Sequence, residues 1–406
     1  MITTMTPTSE NIRGTSALPY HLLAGRDKDV MVEIYTFNNN DITDVKIRQV
    51  EKELDVIIHT IPLPKWFRFI FRYHLLFIRL FLKYPIHHYI KVPQWFVEDI
   101  KSKKPDLIWV YGAEWSRVTK QFVGFQIIHT LPDSEALYYY RMLGQRFVTR
   151  NWKKFWRCAL MYPKFLALER DYHTDDSIQY HLVGKEDVKF LRKMYPGIQA
   201  HFIRHPHYVV AERGAIRFHQ PKIRLLIAGQ YNLYMQQTAD EVLEYIQCTM
   251  HNAQYTIRDH YSITFLGKGW ERHVEVLRNL GFEVEHIKFA PDYIDEIIKH
   301  DIQVTPITIG TGTKGKVLDA LANGLLVLGT PYAMENIAVE HDTSCVVWET
   351  PEQLVETLMD IPTRVEHYEQ MAQAGREAVL EQHDPVRIAK QLFEVLPHAD
   401  LADVLI

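Results

Sequence analysis

Three glycines, two lysines and an aspartate crowd into one short run, Thr308-Ile-Gly-Thr-Gly-Thr-Lys-Gly-Lys-Val-Leu-Asp. Gly310, Gly312 and Gly315 let the backbone approach a ligand closely. A helix expected from Lys316 to Ala322 would turn its free amides and positive dipole end toward the same point. Lys314 and Lys316 add two cations, which suits a diphosphate. Asp319, one turn into the helix, offers an acceptor for ribose hydroxyls. The spacing is not Gly-x-x-x-x-Gly-Lys-Ser/Thr, which excludes the ATPase phosphate loop. Nor is the run a first-turn dinucleotide fingerprint, because it comes deep in its domain. Read alone, glycines before a helix also serve as an ordinary tight turn.

Further candidates are scattered along the chain. His129 closes an expected strand, Gly124 to His129, four residues before Asp133. It either lines a cleft or is a satisfied histidine at a strand edge. The loop Ser9 to Gly14 brings Arg13 and Gly14 to the end of the first expected strand, and Arg204 and His205 are weaker candidates for phosphate contact. Asp175-Asp176 and the histidines show no ligand spacing, so no metal site is expected.

Residues 65–83 combine cations with aromatics: Lys-Trp-Phe-Arg-Phe-Ile-Phe-Arg-Tyr-His-Leu-Leu-Phe-Ile-Arg-Leu-Phe-Leu-Lys. As one helix, Lys65, Arg68, Arg72, Arg79 and Lys83 would fall within about 60° of one another. A basic stripe beside a broad apolar face suits contact with an anionic membrane surface. The same pattern also fits a helix buried in its domain with its charges at the solvent edge.

The elements that must position these residues follow from periodicity. Ile2 to Met5, Val30 to Phe37, Asp106 to Tyr111, Gly124 to His129, Gln179 to Val183 and His201 to Arg204 read as short buried strands. The pattern restarts at Pro221 with strands Ile223–Ala228, Ser262–Leu266, Val284–His286, Ile302–Pro306, Leu325–Leu328 and Cys345–Trp348 separated by helices. The expectation is an α/β protein of two Rossmann-like domains facing across a cleft. Residues 1–205 would form one domain and 206–385 the other. A last helix, 386–406, would pack back on the first domain.

A length of 406 residues suits two such domains, and 47% hydrophobic with 24% charged residues describes a folded chain. A net charge of -4 gives no general case for nucleic-acid binding. Cys158, Cys248 and Cys345 show no pairing pattern, no secretory signal follows Met1, and no uncharged run is long enough to span a membrane. A cytoplasmic protein, peripheral on the membrane face, is expected.

The run from Lys314 resembles the signature of the retaining, two-domain glycosyltransferases of group 1 (GT-B type, family 4-like). Lys314, Lys316, Val317, Leu318, Ala320, Ala322, Gly324, Val327, Thr330 and Glu335 carry the match. Weaker matches are Asp133-Ser134 with Tyr140-Arg141, Val183-Gly184 with Asp187, Arg204 to Pro206, and Ala228-Gly229. Three positions depart from the pattern: Thr311 and Asp319 stand where many members carry two glutamates, and Gln230 stands where a basic residue is usual.

The resemblance implies a metal-independent transfer of sugar, with retention, from a UDP- or GDP-linked donor to a glycan or lipid-linked acceptor. His129, Lys314 and Glu335 would act in catalysis. Arg13, Gly14, Gly229, Gly310, Gly312 and Asp319, with Lys314 and Glu335 again, would bind the donor. A nucleotide-sugar epimerase of the same architecture is the enzymatic alternative. A non-catalytic, membrane-associated scaffold in glycan assembly is the alternative from another class.

Overall fold

In the first half of the chain, seven runs rich in β-branched and aromatic residues form parallel strands. They are β1 (Ile2–Thr3), β2 (Glu33–Thr36), β3 (Ile57–Thr60), β4 (Ile108–Tyr111), β5 (Ile127–Leu131), β6 (Ile178–Leu182) and β7 (Ala200–Phe202). Their order in the sheet is β3-β2-β1-β4-β5-β6-β7. β4, β5 and β6 are buried at every residue, as expected where helices cover both faces of a parallel sheet. The computed structural model describes residues 1–9, 14–148, 150–249 and 257–395.

A second sheet holds β8 (Ile223–Ala228), β9 (Tyr261–Leu266), β10 (Glu283–Ile287), β11 (Ile302–Thr305), β12 (Leu326–Gly329) and β13 (Val346–Val347). Its order is β10-β9-β8-β11-β12-β13, again all parallel. Both sheets thus start at a central strand, grow outward on one side, then return and grow on the other. The direction reverses between β1 and β4 in one sheet and between β8 and β11 in the other, and these are the switch points where such folds open a crevice.

The chain divides into two compact units, Met1–Pro206 with Pro385–Ile406, and His207–Asp384. The return of the chain to the first unit rests on apolar packing. Ile388 and Leu392 are buried with Leu18, Leu22 and Leu23 of the helix Gly14–Ala24, and Phe393 meets Trp109 edge-on at 5.0 Å. Gly25 permits this approach, since a β-carbon there would lie 2.3 Å from the Pro385 carbonyl oxygen. Residues 396–406 of the expected last helix lie outside the described residues.

Two expectations need correction. β3 was not foreseen: its ends are exposed and only its middle is half-buried, so Ile-Ile-His-Thr lacks the apolar signature of a core strand. Residues 65–83 are not one helix. The helix Lys65–Arg72 stops at Tyr73, His74 takes a left-handed φ of 54°, and a separate 3-10 turn follows at Leu76–Leu80. A left-handed residue redirects the chain, so the five cations do not form a single stripe.

Candidate functional site

In a parallel sheet every strand delivers its following loop to the same edge, and the second unit gathers four such loops at the carboxyl ends of β8, β9, β11 and β12. After β8 comes Gly229, and after β9 comes Gly267. These two cross so closely that a β-carbon on Gly267 would lie 2.2 Å from the Gly229 carbonyl oxygen, and both have positive φ, 141° and 139°. That carbonyl also accepts the buried Trp270 indole N–H at 2.7 Å, which holds the crossing in place.

After β11 the chain runs through Pro306 to Lys314 and enters the helix Gly315–Ala322. This helix is buried from Val317 through Ala322, so its position is set by the core on both faces. Lys314 is its N-cap residue, and the Lys314 Nζ turns back to donate to the carbonyls of Thr311 and Gly312, each at 2.9 Å. Gly312 has a left-handed φ of 62°, which aims its carbonyl inward at little cost only because it lacks a side chain. Asn336 Nδ2 donates to the same Gly312 carbonyl at 3.1 Å.

After β12, Thr330 caps the short turn Pro331–Met334 by accepting from the Ala333 amide. Its hydroxyl donates to the Ile307 carbonyl at 2.6 Å, tying the loops after β11 and β12 together. Glu335 follows, with Oε2 3.9 Å from Lys314 Nζ, and both side chains are largely buried. Lys316 lies on the other side of the helix start. Its ammonium is 3.9 Å from where a Gly229 β-carbon would stand and 5.6 Å from the Tyr293 ring centroid. Asp319 is buried below it. Burial, with Asp319 nearby, pushes the Tyr293 hydroxyl well above its ordinary value, and its oxygen has no hydrogen-bond partner.

The arrangement presents an anion with a helix N-terminus, a glycine-lined backbone and two lysines. Lys314 is partly balanced by Glu335, and the buried Asp319 lies near Lys316. Such a donor set suits a phosphate-bearing anion. Among the described residues, no group of three or more His, Cys, Asp or Glu is placed to hold a metal ion.

The second half of the chain carries a matching signature. Residues 247–394 match the family described as glycosyl transferase-like. No curated protein matches the chain at a significant level. Among solved structures, the Anabaena HepE structure in complex with UDP aligns over 98% of this chain and 99% of its own, with a TM-score of 0.60 and 12% identity. WaaG, a glycosyltransferase involved in lipopolysaccharide biosynthesis, aligns over 97% and 100% with a TM-score of 0.58 and 14% identity. Sucrose-phosphate synthase from Thermosynechococcus elongatus aligns over 97% of each chain, with a TM-score of 0.59 and 15% identity.

The chain has the GT-B fold, and its residues 247–394 are similar to the glycosyl transferase-like family. In this fold, the structure brings Gly229, Gly310, Gly312, Lys314, Asp319 and Glu335 to one edge of the second unit. It does not give His129 the expected place. β5 runs on to Leu131, so His129 lies in mid-strand, fully buried, with Nε2 2.8 Å from the Gly112 carbonyl. Burial between Tyr172 and Tyr180 pushes its pKa down to about 4, and the neutral ring donates from Nε2 while its buried Nδ1 finds no partner among the described residues. Gly14 begins the helix Gly14–Ala24 of the first unit, and Arg13 lies outside the described residues.

Three further residues complete the site, and two of them escaped the sequence reading. Thr330 was matched to the family, and Thr-Pro before a helix is a legible capping signal, but its bond to Ile307 spans 23 residues. Asn336 and Tyr293 had no local signal at all. A groove of about 780 Å³ in the first unit, lined in part by Met1, Glu33, Ile57 and Lys103, lies at the amino ends of its strands. Ligands of such sheets bind at the opposite edge.

Proposed function

We propose that this chain is a glycosyltransferase that moves a sugar from a UDP- or GDP-linked donor to a glycan or lipid-linked acceptor, with retention of configuration. The observation that carries the reading is the glycine-lined helix start with Lys314 and Lys316 at the β8/β11 switch point. The fold likeness to HepE, whose structures contain UDP or UDP-glucose, favours a uridine donor.

In the proposed reaction the bond from the anomeric carbon to the diphosphate oxygen breaks, and a bond to the acceptor oxygen forms on the same face of the sugar. The acceptor proton passes to the departing diphosphate. What the protein must supply is stabilisation of the charge growing on that leaving group. The amides of the helix start and the two lysines do this without reorganising, because Lys314 is already held by two carbonyls. Asp319 and the Tyr293 hydroxyl form the polar floor facing the ribose. Glu335 positions Lys314 and meets the sugar.

The acceptor reading goes with a peripheral position on the cytoplasmic membrane face, supported by the exposed Phe69, Phe77 and Phe81 among the cations of residues 65–83. Among the described residues, no helix is long and apolar enough to cross a membrane.

The test is turnover of UDP- and GDP-sugars with and without a pool of lipid-phosphate acceptors. Acceptor-dependent release of nucleoside diphosphate supports the reading. Isomerised nucleotide sugar would identify an epimerase, and silence with every donor would overturn transfer in favour of a scaffold.

A further inference from the structure

The helical hairpin Glu135–Val148 and Trp152–Glu169 belongs to the first unit and exposes aromatic side chains close to its tip. Trp152, Trp156 and Leu160 recur every four residues, so at about 100° per residue they share one face of their helix. All three are exposed, Trp156 at 68%. Phe147, 60% exposed, meets Trp152 edge-on at 5.9 Å, and Phe155 touches both Trp152 and Trp156. A soluble surface rarely collects rings this way without a partner. Lys153 and Arg157 directly flank the apolar face, and Arg150 precedes it.

Charge is segregated to match. Between Glu135 and Glu169 the chain has seven Lys or Arg and no Asp or Glu. Between Asp55 and Glu98 it has six and again no acid, in a protein whose net charge is -4. These two acid-free stretches meet in space, because the Lys164 ammonium donates to the Leu82 carbonyl next to the exposed Phe81. Aromatic rings at a tip with cations around their base suit the depth profile of a bilayer: rings at the acyl boundary, charges among anionic headgroups. An acidic protein partner would satisfy the cations but not explain the bare rings at the tip.

We infer that the tip of this hairpin, with Trp152, Trp156 and Phe147 leading, inserts into the interface of an anionic lipid bilayer, and that Phe77 and Phe81 border the same docking face. This deepens the proposed membrane-borne acceptor and shifts the main anchor from residues 65–83 to the hairpin. Its test is independent of catalysis.

The full-length protein is floated with vesicles of phosphatidylcholine alone and of phosphatidylcholine with phosphatidylglycerol. Binding to the anionic vesicles only is expected. Trp152→Ser/Trp156→Ser should weaken that binding at least about tenfold, and Lys153→Glu/Arg157→Glu should remove the preference for phosphatidylglycerol. Unchanged thermal unfolding of each variant shows that its fold is intact, and added salt should weaken wild-type binding as a second readout. Failure of the wild type to float, or equal flotation of the tryptophan variant, overturns the inference. Lys314→Ala should float like the wild type. A protein that floats yet turns over no nucleotide sugar would sink the transferase reading and leave the docking face standing.

Discussion

The two switch points use one topology for opposite ends. In the second unit, the loops after β8 and β11 keep small side chains and cations at the sheet edge, with Gly229, Gly312, Lys314 and Lys316 around the helix start. In the first unit, the loop after β4 is filled. Gly112 turns with φ 120°, Trp115 packs fully buried beneath it and stacks on Phe37 at 5.1 Å, and His129 donates to the Gly112 carbonyl. A crevice binds an anion only if the backbone amides there are left for it. Bulk and internal hydrogen bonds have taken that place in one sheet, and glycines have kept it open in the other.

The interiors differ as well. In the first unit, the Trp109 indole N–H donates to Thr130 at 2.7 Å, the Thr130 hydroxyl lies 3.1 Å from His181 Nδ1, and His181 Nε2 lies 3.2 Å from the Ile203 carbonyl. This chain runs from β4 through β5 and β6 to the residue after β7, and it requires a neutral imidazole at His181. Burial pushes His88, His129, His181, His201 and His205 of this unit down to about 4. The second unit also buries ionisable groups, among them Asp301 and Glu369, but it keeps Lys314, Lys316 and Glu335 at its loop edge.

The sharpest way to break the comparison is to remove the cation that the second switch point holds. Lys314→Ala is expected to lower kcat/KM for transfer about 100- to 1,000-fold, with unfolding near wild type. Steady-state kinetics beside a thermal melt check it, and near-normal turnover would remove the site from the second unit. Next in size, Gly267→Ala forces a β-carbon against the Gly229 carbonyl at 2.2 Å, and should cost about 3 kcal/mol of stability, read by urea unfolding.

Acid should expose the first unit's histidines. Their folded pKa lies below the unfolded value, so their contribution to stability is complete above pH 6.5 and is lost as pH falls toward 4. Glu169 runs the other way. Burial raises it to about 7 although the Ser134 hydroxyl and the Ala136 amide donate to it, so its contribution is full below 4.5 and fades as pH rises through 7. Urea unfolding between pH 4 and 8 should show His181→Gln flattening the acid limb by about 1–3 kcal/mol. Glu169→Gln should flatten the limb toward pH 8, and unaltered profiles would show that these groups are already paired in the unfolded chain. Smallest of all on activity, His129→Phe should change kcat/KM less than about threefold while costing about 1 kcal/mol for the lost bond to the Gly112 carbonyl, which keeps the Trp115 amide as a donor. A large kinetic loss at unchanged stability would return His129 to the chemistry.

The amino-acid sequence by itself determined the local elements and the nature of the second switch point. β8 coincides with its expected bounds because an apolar run ended by Gly229 needs no distant information. Lys314-Gly-Lys before a buried helix was legible because glycine, charge and helix periodicity all act within a few residues. Tertiary structure alone decided what depends on pairing and burial. It added β3, whose strand character comes from its ladder with β2 rather than from its own apolar pattern. It broke residues 65–83 at His74, and it buried His129, because β5 continues two residues beyond the point where polarity suggested an end. It also brought Asn336 to Gly312 and Tyr293 beside Lys316. Short-range chemistry writes the loop, but which groups surround it is set by contacts many residues apart, and those leave no periodic trace in the chain.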